Sequence, residues 1–185
     1  MCHGYACRVV ADRNRSTGLI RSKPERARLL AIYLNDHLAG ATAGQALARR
    51  LARTHRGTSL REQLERIATE VAEDRAALLE LMARVGAHTA GYKVILAAAG
   101  ERLSMLKPNG AVRGRSPLSD LVELEGMRLG VEGKAAGWRT LRQLAEVDLR
   151  LDVQQLDKLI ARADRQRDTL EELRVRAARD ALHNT

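Results

Sequence analysis

Midway along its helical stretches the chain carries four groups of side chains able to do chemistry: Asp36 with His37, Glu70 with Asp74, Glu125 with Glu132, and Asp164 with Arg167. Hard carboxylate oxygens combined with one imidazole could hold iron or manganese at a single or altered metal site. The same set supports a purely structural chemistry. Asp74 interrupts an otherwise apolar seam, Arg167 interrupts another, and charges taken out of water persist only when they are paired. An ion pair between Asp74 and Arg167, joined by Glu125 or Glu132 and by His37, would fix the register of the helices, as one polar residue does in a coiled-coil seam. A third arrangement leaves these side chains facing solvent. Glu125 and Glu132 lie seven residues apart on one helical face, a spacing that serves metal binding and ordinary helix pairing equally well. His37 taken alone is more often a hydrogen-bonded core histidine than a ligand. The thiols of Cys2 and Cys7 with His3 fall short of the four spaced ligands of a structural zinc site. Phosphate-cradling loops, nucleophile elbows and His-Glu-x-x-His patterns are absent from the sequence.

The elements that must position these residues are helices. Aromatic residues make up 2% of the 185, there are three prolines and two cysteines, and Ala, Leu, Arg and Glu dominate, so good helix formers are abundant and strand formers scarce. An all-β fold and a disulfide framework are excluded. The length suits one domain. No apolar run reaches membrane-span length and the opening residues lack the pattern of a secretory leader, so a cytoplasmic protein with no membrane contact is expected. Residues 1–21 read as a flexible basic tail, followed by one domain over 22–185. Ser22 to Glu25 form a capping box opening a helix over about 23–53. Thr58 or Ser59 caps a helix over about 60–85, whose Leu60, Leu64, Ile67, Val71, Asp74, Leu78, Leu81 and Val85 follow heptad spacing. Gly86 stops it. Residues 87–117 form a long connection holding a short helical piece, about 92–107. Ser116-Pro117 opens a helix over about 118–146, with Leu118, Leu121, Leu124, Glu125, Leu129, Glu132, Ala136, Trp138 and Leu141 as its stripe. Asp148 or Asp152 caps the last, about 153–182, with Leu156, Ile160, Ala163, Arg167, Leu170, Arg174, Ala177 and Leu182 as its stripe. Short links predict two antiparallel hairpins, joined by a crossover long enough to traverse the bundle.

The formal charge of +9 is uneven. Residues 1–28 hold seven basic side chains against Asp12 and Glu25, so contact with nucleic acid is disfavoured except through this tail. Arg49, Arg50, Arg53, Arg56 and Arg61 bracket a turn, which suits cations at a helix C-terminus. Glycines at 40 and 44, and at 126, 130, 133 and 137, each cost about 1 kcal/mol against Ala in a helix. They point to close approach of helix backbones, inside the bundle or across a homodimer interface.

Two hairpins and one long crossover is a ferritin-like layout. Residues 22–182 resemble the ferritin-like superfamily, and the stretches Tyr33-Leu34-Asn35-Asp36-His37-Leu38-Ala39-Gly40-Ala41-Thr42-Ala43-Gly44 and Leu124-Glu125-Gly126-Met127-Arg128-Leu129-Gly130-Val131-Glu132-Gly133-Lys134 are similar to those of an uncharacterised bacterial family of that kind. The resemblance implies an all-α four-helix bundle and no particular activity. Di-metal sites of this superfamily draw one Glu from each of two helices and a Glu-x-x-His from each of the other two. This chain has no Glu-x-x-His, and of His3, His37, His55, His88 and His183 only His37 lies within a long helix. The leading expectation is a bundle without catalysis or bound cofactor, serving a structural or protein-interaction role with an unidentified protein or a second copy. The alternative is an iron or manganese carboxylate protein with oxidase or storage activity at a degenerate di-iron site. A third resembles the DNA-protecting mini-ferritins in its basic N-terminal tail.

Overall fold

A computed structural model describes residues 23–91, 97, 100 and 116–182. The expected tail at 1–21, the Ser22 half of the capping box, residues Cys2, His3, Cys7 and His183, and nearly all of the piece expected at 92–107 lie outside the described residues. Four long helices are found among the described residues: α1 (Lys23–Thr54), α2 (Arg61–Arg84), α3 (Pro117–Leu144) and α4 (Val153–Leu182). Among the described residues there is no strand. No helix among them is long and apolar enough to cross a membrane.

Local chemistry sets the helix ends. The Ser116 hydroxyl accepts from Leu118 N and Pro117 occupies the first turn, where its missing N–H costs nothing. One carboxylate oxygen of Asp152 accepts from Gln154 N and Gln155 N, capping α4. Gly86, at φ 72°, closes α2 while Ala87 N reaches Met82 O and Gly86 N reaches Ala83 O, a Schellman pair of bonds. The start of α2 departs from expectation. Its cap position is Leu60 with no side-chain cap, because the Thr58 hydroxyl is engaged in the preceding turn, donating to His55 O and accepting from Leu60 N.

The inward faces are heptad seams. On α2, Leu64, Ile67, Val71, Asp74, Leu78 and Leu81 are buried in the expected order. On α4 the buried set is Leu156, Leu159, Ala163, Gln166, Leu170, Leu173 and Ala177. The expected stripe instead carried Ile160, Arg167 and Arg174, each one place round the helix, and ended on Leu182, which is 60% exposed. On α3, Leu124, Met127, Val131, Ala135, Trp138 and Leu141 are buried, whereas Leu129 is 69% exposed and Glu125, Glu132 and Ala136 face outward. Glycines at 126, 130 and 133 carry no side chain, so they blur the contrast between faces that would have marked the inward side. Each fully buried leucine, Leu51, Leu81, Leu156 and Leu170 among them, contributes about 2 kcal/mol.

Packing is closest between α1 and α2 and between α3 and α4, with a looser α1–α3 seam and, of the pairs that touch, the sparsest contact between α2 and α4. Tyr33 Oη donates to Thr140 Oγ1 near one end of α1 and α3, and His55 Nε2 lies 3.1 Å from Asp120 Oδ1 at the other. Arg84 reaches Gln155, and Arg176 reaches Ser59 at the opposite end of the α2–α4 pair.

Candidate functional site

Three heptad seams are each broken by one polar residue, and the three breaks meet. Asp74 of α2, 2% exposed, has Lys134 Nζ of α3 at 2.5 Å from Oδ2. Lys134 Nζ also donates to Gln166 Oε1 of α4. The Gln166 amide nitrogen donates to Glu70 Oε2 at 2.8 Å and to Asp74 Oδ2 at 3.2 Å. Arg162 completes the layer, with Nη2 2.5 Å from Asp74 Oδ1 and Nη1 2.7 Å from Glu73 Oε2. Asp74 therefore carries a cation on each oxygen, which compensates for its removal from water. Burial pulls the Lys134 ammonium below its ordinary value, against the raising influence of Asp74 through charge and hydrogen bonding.

Above this layer the α1–α3 seam opens into a cleft of about 470 Å3. Its walls are largely apolar, from Leu34, Ala43 and Leu47 of α1 and Met127, Val131 and Trp138 of α3, and Val71, Asp74 and Leu78 of α2 reach it from beneath. Gly40, Gly44, Gly126, Gly130, Gly133 and Gly137 all line it. Inside the bundle, Gly40, Gly44, Gly130 and Gly133 do not mark the close backbone contact expected there. A Cβ added at Gly40, Gly130 or Gly133 would meet nothing within 4 Å, and at Gly44 only Met127 Cε at 3.9 Å. Gly137 alone is tight, because a Cβ there would stand 2.9 Å from His37 Cε1. At Gly40, Gly44, Gly130 and Gly133 no close contact recovers the helix-propensity cost, so the missing side chains leave space.

The remaining expected site residues are dispersed. His37 packs edge-on to Tyr33 with ring centroids 4.5 Å apart and lies over Gly137. Asp36 is exposed beside the cleft. Glu125 pairs with Arg174, and Glu132 with Arg139 and Arg167, all on the outer surface. Asp164 pairs with Arg139 and Arg167. The structure does not bring Arg167 to Asp74: its neighbour Gln166 takes the inward place while Arg167 joins Glu132, Asp164 and Asp168. Among the described residues no three His, Cys, Asp or Glu side chains gather as a metal-binding group. The donor set also does not fit the di-metal centre that the ferritin-like resemblance implies, since an added cation at Asp74 would sit against an ammonium and a guanidinium.

Sequence reasoning missed Lys134, Gln166 and Arg162. The first two were detectable: Lys134 continues the spacing Leu124, Met127, Val131, Lys134, Trp138, Leu141, and Gln166 continues Leu159, Ala163, Gln166, Leu170, Leu173. It also passed over Glu123, 5% exposed and 3.0 Å from Arg50, and His55, 7% exposed, which close the far end of the α1–α3 seam. No protein-family model, curated protein or solved structure matches the chain.

Proposed function

We propose that this chain is a ferritin-like bundle of two hairpins joined by a crossover, and that it works by taking a small, largely apolar molecule into the α1–α3 cleft. The polar layer beneath is, in this reading, a structural ion network standing where metal-binding relatives of the layout hold their ions. One observation carries the reading: four helical glycines, Gly40, Gly44, Gly130 and Gly133, border a cleft in which an added methyl group would touch nothing or make a single van der Waals contact. Ala at such positions would favour the helix by about 1 kcal/mol each, so a role for the space accounts for them where packing does not. An apolar concavity of this volume with a few convergent polar groups is the usual form of a small-molecule site.

The test uses the full chain with 1-anilinonaphthalene-8-sulfonate as the probe, by calorimetry and thermal melts, alongside metal analysis. One probe per chain and a raised melting temperature are expected, both lost when Gly130→Leu and Gly133→Leu fill the cleft of a still-helical protein. Probe binding unchanged by those substitutions would overturn the cleft reading. Stoichiometric iron or manganese, lost in Asp74→Ala, would overturn the structural reading of the layer and favour oxidase or storage activity. A dimer that these glycine substitutions dissociate would instead give the cleft to a second copy.

A further inference from the structure

Among the described residues Lys134 is the one lysine lining the cleft. Its side chain is 15% exposed and its nitrogen donates to two acceptors, Asp74 Oδ2 and Gln166 Oε1. An amine held by two hydrogens toward acceptors on α2 and α4 keeps one tetrahedral position for its lone pair, and the cleft is the space that Lys134 borders besides those partners. From this geometry we infer that the cleft's ligand carries an aldehyde or ketone, which Lys134 captures as an imine with Asp74 as proton acceptor and counter-ion. The inference rests on the cleft reading above and names the chemical class of what the cleft takes.

Each part of the reaction has a group in place. Lys134 Nζ passes a proton to Asp74 Oδ2, 2.5 Å away, and the neutral amine turns about its Cε–Nζ bond to face its freed lone pair to the cleft and adds to the carbonyl carbon. A C–N bond forms while the carbonyl π pair moves to oxygen. That oxygen receives a proton from nitrogen by way of Asp74, takes as its second the proton Asp74 accepted at the start, and leaves as water as the C=N bond closes. In sum, one ammonium and one carbonyl become one iminium and one water, with no oxidant or reductant. The iminium keeps its positive charge against Asp74, whose other oxygen Arg162 already neutralises at 2.5 Å, so the ion network has the same charges before and after. Gln166, 1% exposed, accepts from the nitrogen in the starting state and holds Asp74 in line. The apolar walls limit the water that would reverse the condensation.

The full chain is incubated with trans-cinnamaldehyde, reduced with sodium borohydride, and mapped by peptide mass spectrometry. The expected adduct sits on Lys134 in preference to Lys23, Lys93, Lys107 and Lys158 by about a hundredfold in rate. Lys134→Arg removes it, and Asp74→Asn slows trapping by about tenfold or more. Wild-type mapping alone decides the matter if a variant does not fold: adducts spread over the other lysines overturn the proposal. Cinnamyl alcohol separates the two ideas. Alcohol that displaces the naphthalene probe, without a Lys134 adduct from the aldehyde, sinks the imine and keeps the cleft. Failure of both molecules to displace it sinks both.

Discussion

Asp74 is the residue on which the interior turns, since a carboxylate at 2% exposure must be answered by charge. Lys134→Met should cost about 3 kcal/mol in urea unfolding, because it leaves that charge partly uncompensated. The double variant Asp74→Leu with Lys134→Met should cost less than the sum of the two single changes by more than about 1 kcal/mol. Strict additivity would show that the two side chains are not coupled. Asp74 was legible in the sequence because everything around it in the α2 seam is apolar. Its partners were not. In α4 the stripes through Arg167 and through Gln166 share Leu156, Ala163, Leu170 and Ala177, and differ by one place at the others. The longer run of leucines, at 159 and 173, decides for Gln166, and an arginine is a more conspicuous partner for an aspartate than a glutamine is. In α3 the same pull toward charge drew attention to Glu125 and Glu132. Both lie on the outer face, tied to arginines of α3 and α4.

At the level of the helices, type and existence were legible from periodicity and composition, and so were several ends: the Ser116 cap, the Asp152 cap and the Gly86 stop. The α2 start was less so, since Thr58 has two backbone groups to serve and the turn claims both. The glycines were visible as costs, but their meaning needed coordinates, because absence of a side chain is compatible with contact and with emptiness. The two cases separate by substitution. Gly133→Ala and Gly130→Ala, in open space, should stabilise the protein by up to about 1 kcal/mol each through helix propensity. Gly137→Ala should destabilise it by about 1–3 kcal/mol, because the new methyl would displace the His37 ring. Chemical denaturation of the three variants gives the answer. A common sign for all three would mean that the cleft closes or that His37 gives way without cost.

Across the whole molecule, the close pairs α1 with α2 and α3 with α4 face each other over the looser α1–α3 seam and the sparsely touching α2–α4 pair, which long side chains span. Cooperative opening units tend to follow such supersecondary pairs. Native-state hydrogen exchange should therefore find amides of α3 and α4 opening together with one free energy, distinct from those of α1 and α2. A single free energy for all four helices would show instead that the ionic layer binds them into one unit. The chain's sole tryptophan is Trp138, 2% exposed in the cleft wall, with no hydrogen-bond acceptor for its indole N–H among the described residues. An indole so buried and without a hydrogen bond emits at short wavelength. With only three tyrosines and no phenylalanine elsewhere in the sequence, its light is almost undiluted. The protein thus carries a built-in optical gauge at the place where its chemistry is proposed to lie, and events in the cleft can be followed in the unlabelled, unmodified chain.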